Sequence, residues 1–168
     1  MSPIDPPAFT PDFEAKVVAP AQVAATMARA QRPLVFTNGV FDLLHRGHVT
    51  YLAQARALGA SLLVAVNSDE SVKRLGKGAD RPINRCEDRM AVLAALGCVD
   101  WVTWFKDDTP LALVLAARPD VLVKGGDWPV DAIVGAAQVR GWGGTVHSLA
   151  FQHERSTTET LRRIRAAP

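Results

Sequence analysis

The sequence predicts an α/β protein built on a parallel, doubly wound sheet. Short apolar runs alternate with stretches of helical periodicity, about five of each, which is the pattern of a parallel sheet with helices on both faces. The chemically unusual residues follow the predicted strands at their carboxyl ends, the edge at which open α/β sheets bind ligands. Of the 168 residues, 48% are apolar and 21% charged, the balance of one soluble globular domain.

Pro3, Pro6, Pro7 and Pro11 extend the start of the chain, and Pro20 to Ala30 reads as a short helix with proline in its first turn. Residues 1–31 are therefore expected to form a Pro-rich extension and 32–168 the organised domain. Leu34, Val35 and Phe36 make a buried strand, followed by a turn at Thr37, Asn38 and Gly39. His48 to Ala57 is helical and closed by Gly59, and Ser61 to Val66 is the second strand. Lys73 to Pro82 reads as a basic, glycine-bearing loop. Asn84 and Glu87 have capping-box spacing ahead of a helix through Met90 to Leu96. Val99 to Phe105 is the third strand, and Thr109 and Pro110 open a helix that stops before Pro119. Val121 to Val123 is the fourth strand and runs into Lys124, Gly125, Gly126, Asp127 and Trp128. Asp131 to Val139 is helical, Thr145 to Ala150 is the last strand and Ser156 to Ala166 the last helix.

Lys and Arg number 19 and Asp and Glu 17, a formal charge of +2, which gives no electrostatic case for bulk nucleic-acid binding. Cys86 and Cys98 lack CxxC spacing and read as reduced core thiols of a reducing compartment. The start MSPIDPPAFTPDF has neither the basic nor the apolar segment of a signal peptide, and no run reaches the ~18 apolar residues of a membrane span. A soluble, cytoplasmic protein with no membrane partner is expected.

The sharpest motif is His45-Arg46-Gly47-His48, at the start of a helix. Free amide groups and the helix dipole there favour an anion. Both imidazoles can donate to one phosphate, and Gly47 removes a side chain where the phosphate would approach. Such donors suit a phosphorus passing through a five-coordinate transition state. The competing readings are a zinc site, for which no third ligand is evident, and two unrelated surface histidines. Ser156 and Thr157 read either as an ordinary helix cap or as hydroxyls holding the outer phosphates of a nucleotide. Lys124 reads either as a solvated turn lysine or as a cation aimed at a polyphosphate, with Gly125 and Gly126 letting the backbone come close. Lys73, Arg74, Lys77, Arg81 and Arg85 form a basic stretch, read as a solvated loop or as a flap over a phosphorylated substrate. Arg89 carries little weight within its helix, and the four tryptophans read as core or rim.

GVFDLLHRGHVTYL resembles the HxGH signature of the nucleotidyltransferase superfamily of small cytidylyl- and adenylyltransferases. The wider set TNGVFDLLHRGHV, VAVNSDES, RPINRCEDRMAVLAAL, VDWV, PDVLVKGGDW and STT is similar to the adenylyltransferases that make ADP-heptose from D-glycero-β-D-manno-heptose 1-phosphate and ATP. Those enzymes serve lipopolysaccharide-core synthesis. The resemblance spans roughly Arg32 to Arg165 and implies a Rossmann-like, five-stranded sheet of order 3-2-1-4-5. It implies that His45, His48 and Lys124 act on the phosphates and that Thr37, Asn38, Gly39, Phe41, Gly47, Gly126, Ser156 and Thr157 line the nucleotide site. Asp42, Arg81 and Asp127 are assigned to the sugar-phosphate side. Mg²⁺ is expected with ATP, with no dedicated protein metal site, and a homodimer is expected by analogy. Two features depart from the family. Glu154 and Arg155 stand where a glycine and a small residue usually precede Ser-Thr-Thr, and the chain is too short to carry the sugar kinase domain often fused to this activity. The alternatives are a cytidylyltransferase of the same fold, using CTP and glycerol 3-phosphate, and a non-catalytic nucleotide-binding module.

Overall fold

The computed structural model describes residues 10–76, 78, 80–153 and 157–166. Strands β1 (Leu34–Gly39), β2 (Ser61–Asn67), β3 (Trp101–Phe105), β4 (Val121–Gly125) and β5 (Thr145–Leu149) form one parallel sheet in the order β3-β2-β1-β4-β5. Class and order are those expected. β1 is central, with β2 on one side and β4 on the other, so the strand order reverses between β1 and β4. A crevice opens at such a point because the two flanking connections leave in opposite directions.

Side chains alternate across the sheet with period two. Val35, Leu62, Val64, Val121 and Val123 pack on one face with α2 (Arg46–Arg56) and α4 (Cys86–Ala94). Leu34, Phe36, Leu63, Ala65 and Leu122 pack on the other with α1 (Val23–Met27), α5 (Leu111–Ala117) and α6 (Ala136–Gly141). Burial on both faces is why these strands read as unbroken apolar runs. Of the N-terminal extension, Pro3, Pro6 and Pro7 lie outside the described residues. Val18, Val23 and Met27 are buried in the same core as β1. The backbone at Val17 bridges Val102 of the edge strand β3, and the Lys16 ammonium donates to Val99 O at 2.9 Å. Cys86 and Cys98 are free and half-buried, and burial pushes both thiols above their ordinary range.

Several local expectations give way to competing interactions. Thr37, Asn38 and Gly39 continue β1 instead of turning, because all three pair with β2. A short helix, α3 (Asp69–Arg74), replaces the beginning of the expected basic loop. The Ser68 hydroxyl caps it by accepting from the Ser71 amide at 3.2 Å, with acidic residues in its first turn and Lys73 and Arg74 in its last. The Asn84 capping box does not form. Arg85 is the N-cap of α4, and the Asn84 side-chain amide donates instead to Asp42 O at 2.8 Å. The helix expected over 131–139 is split at Gly135, whose φ of 93° breaks the turn. A Cβ there would also lie 2.9 Å from Val114.

Candidate active site

The crevice is built from the ends of β1 and β4 and the amino end of α2. His45 is the N-cap of α2, in extended backbone (φ −142°, ψ 171°), and His48 lies in the first turn. Their rings stack with centroids 3.9 Å apart and planes 25° from parallel. Phe41 meets His48 edge-on at 5.5 Å, and Phe151 approaches it at 6.3 Å. The pair is thus clamped by aromatic rings, with the positive end of the helix dipole at the same place. Phe41 takes φ 50°, a costly conformation for an aromatic residue, and its ring is admitted by the missing side chain of Gly39. A Cβ on Gly39 would sit 2.9 Å from that ring. A Cβ on Gly47 would meet the His45 ring and His153 O, each at 3.1 Å. A side chain at position 47 would thus press on the ring and on the segment after β5.

Lys124 extends from β4 on the other face, its Nζ 3.3 Å from Asn38 Oδ1 and 3.4 Å from Asn38 O. Both residues line a cleft of about 330 Å³ with Asn67, Asp108, Trp128 and Val134 among its walls. Thr37 points the opposite way and is fully buried, its hydroxyl 2.5 Å from the Tyr51 hydroxyl on α2. Burial pushes the Tyr51 phenol well above its ordinary range despite hydrogen bonds to Thr37 and Gly125, so it stays neutral. Thr37 thus fixes α2 against β1. Gly126 takes φ 110°, and its amide donates to Leu149 O at 2.9 Å, closing the turn after β4.

Asp42 and Arg81, expected on the sugar-phosphate side, form a buried ion pair with side-chain exposures of 0% and 7%. The Asp42 carboxylate also accepts from the Ile83 and Asn84 amides, each at 2.9 Å. It fastens the loop after β1 to the segment before α4. Asp127 is exposed in the bend after β4, beside Trp128. Thr157 opens α7 (Thr157–Ala166), buried, with its hydroxyl donating to Leu43 O at 3.4 Å. Ser156, Glu154 and Arg155 lie outside the described residues, as does Lys77. The remaining basic stretch is not one flap: Lys73 and Arg74 are helical, Arg74 pairs with Asp108 at 2.7 Å, and Arg81 is buried.

Arg89 is the functional candidate that the sequence undervalued. Its side chain is fully buried and donates to four acceptors at the carboxyl edge. The available signal was a charge set among Cys86, Met90 and Leu93, on the apolar side of α4. Among the described residues, no group of three or more His, Cys, Asp or Glu is placed to hold a metal ion, and no helix is long and apolar enough to cross a membrane.

A cytidylyltransferase-like family model matches residues 36–163. A D-beta-D-heptose 1-phosphate adenylyltransferase of Bordetella bronchiseptica is 59% identical over 155 residues, covering 91% of this chain and 96% of that one. The bifunctional protein HldE of Hahella chejuensis is 54% identical over 152 residues, covering 90% of this chain and 32% of its own length. Among solved structures, the lipopolysaccharide core biosynthesis protein from Thermoplasma volcanium superposes with a TM-score of 0.60 at 29% identity, covering 73% of this chain and 98% of that one. Pantothenate synthetase from Thermus thermophilus, at 17% identity and a TM-score of 0.56 over 80% of this chain and 61% of its own, shares the fold.

Proposed function

The chain belongs to the cytidylyltransferase-like family, and from that premise we propose that it transfers AMP from ATP to D-glycero-β-D-manno-heptose 1-phosphate, giving ADP-heptose and pyrophosphate for lipopolysaccharide-core synthesis. The observation that carries the reading is the stacked His45–His48 pair at the amino end of α2, at the strand edge from which Lys124 also projects.

A phosphate oxygen of the sugar 1-phosphate attacks the α-phosphorus of ATP in line. The bond from that phosphorus to the bridging oxygen breaks, and pyrophosphate leaves. No covalent intermediate on the protein is required. His45 and His48 donate hydrogen bonds to the phosphate oxygens around the reacting phosphorus, and Lys124 and the helix dipole offset the charge that gathers there. Gly126 and Thr157 serve the edge of the nucleotide site, with Ser156 next to Thr157 in sequence. Mg²⁺ is part of the substrate, carried on the triphosphate oxygens, where it neutralises charge. The sugar moiety is assigned to the cleft of Asn67, Asp108 and Trp128, on the face of the sheet opposite α2, and Asn38, expected in the nucleotide site, lines the same cleft. Asp42 and Arg81 serve that cleft by fixing the loop after β1, whose Val40 lines it, and exposed Asp127 stands beside its wall residue Trp128. A cytoplasmic homodimer completes the reading, and sedimentation of the purified chain tests the dimer.

The deciding experiment measures pyrophosphate release with ATP and CTP, each crossed with heptose 1-phosphate, glycerol 3-phosphate and phosphopantetheine. Release confined to ATP with heptose 1-phosphate is expected. Release with CTP and glycerol 3-phosphate instead would reassign the substrates. Tight nucleotide binding with no release from any pair would make the chain a binding module.

A further inference from the structure

We propose that Arg89 is a positioning residue for the acceptor, its guanidinium setting the gap between β1 and β2 that forms the floor of the sugar-phosphate cleft. This rests on the activity proposed above. The β1–β2 ladder ends at the pair Gly39 and Val66. The next rung in that register would join Val40 to Asn67. Instead, Arg89 Nη1 donates to Val40 O at 2.6 Å and Nη2 to Asn67 O at 2.8 Å. One planar cation stands where the strands would otherwise continue to pair, and it holds them apart at a fixed distance. Val40 and Asn67 are both walls of the cleft.

The remaining donors fix the cation itself. Nε donates to Asn84 O at 3.0 Å, and Nη2 also donates to Asp69 Oδ1 at 2.8 Å. Asp69 is 32% exposed whereas Arg89 is fully buried, so the ion pair reaches from the interior to the surface. Burying a guanidinium in this way is costly, and an apolar side chain of similar volume would fill the space. What the apolar chain cannot do is satisfy and space three backbone carbonyls. Downstream, the loop leading to His45 has its own anchor in Asp42, through Arg81 and the Ile83 and Asn84 amides. A change at Arg89 therefore reaches the cleft walls Val40 and Asn67 directly. It reaches the loop leading to His45 only through Asn84, which both anchors share, since the Asp42 contacts with Arg81 and the Ile83 amide do not involve Arg89.

The test is steady-state pyrophosphate release with ATP and D-glycero-β-D-manno-heptose 1-phosphate, for the unaltered chain, Arg89→Lys and Asp69→Asn, with melting temperatures measured alongside. Lysine keeps the charge but offers three donors without a planar fork. Arg89→Lys is expected to raise the acceptor KM about tenfold while ATP KM stays within about twofold. Asp69→Asn, at a partly exposed position, is expected to shift acceptor KM the same way by a smaller factor with little change in melting temperature, and it decides the matter if Arg89→Lys does not fold. An unmoved acceptor KM, or equal rises for both substrates, would overturn the positioning role while leaving the activity standing. An unaltered chain that releases no pyrophosphate from this pair would overturn the activity, and the positioning role with it.

Discussion

The imidazole of His45 lies against that of His48 at 3.9 Å between centroids, so two rings three positions apart at the start of one helix are held as a unit. On the proposed mechanism, removing one ring takes away a transition-state donor and also the surface that orients the other. His48→Ala is expected to lower turnover at saturating ATP about 10²–10³-fold, the range for losing one such donor. Pyrophosphate release measures it, and unchanged turnover would remove the histidines from the chemistry.

Gly47 sits beneath that pair. Gly47→Ala places a methyl 3.1 Å from the His45 ring and 3.1 Å from His153 O. Either the ring or the segment after β5 must give way. Turnover is expected to fall more than tenfold while the urea midpoint moves little, since alanine suits a helix better than glycine does. A variant of normal activity would show that the ring position is unimportant.

The Asp42 carboxylate is a different kind of residue, fully buried and shared among Arg81 and two backbone amides. Truncating it strands a buried guanidinium. Asp42→Ala is expected to cost about 3–5 kcal/mol in urea unfolding, the usual penalty for removing one partner of a buried pair. A loss below about 1 kcal/mol would mean that water reaches Arg81 and relieves it.

Asp120 sets a pH dependence. Burial works against its charge, but the Leu34 amide and Arg32 more than offset this and hold the carboxyl below the usual carboxylate range. A carboxyl lowered in the folded state stabilises fully above its unfolded pKa of about 3.9, and the benefit is lost as pH falls through the folded value. Asp120→Asn is therefore expected to be less stable than the unaltered chain at pH 7, by under about 1 kcal/mol because the pair is half exposed. The gap closes below about pH 4. Chemical denaturation at pH 7, 5 and 3 checks it, and a gap that widens in acid would refute the assignment.

The fold was legible because burial of the sheet on both faces writes each strand as an apolar run, and because Gly39, Gly47 and Gly126 mark places where backbone or a ring comes close. The histidine pair was legible from its spacing at a helix start. What the residues alone did not reveal was long-range pairing. Asn84 has the spacing of a cap, yet its amide is drawn to Asp42, 42 positions away. Asp42 and Arg81 look like solvent-facing ligands until the fold joins them. Arg89 gains meaning only when β1 and β2 are laid side by side, since its acceptors are scattered from Val40 to Asn84.

Thr37 and Asn38 are neighbours on β1 that face opposite ways, one toward Tyr51 on α2 and the other toward Lys124 and the cleft. On the proposed assignment the histidine pair lies on one face of the sheet and the acceptor cleft on the other, with Lys124 reaching the phosphates from the cleft side, so most of the cleft walls can be altered without touching the rings. Drift at Asp108, Trp128 or Val134 would then retune what receives the nucleotidyl group without disturbing the stacked histidine rings. An architecture of this kind lends itself to diversification: new acceptors can be tried one wall residue at a time, each trial starting from a working donor site.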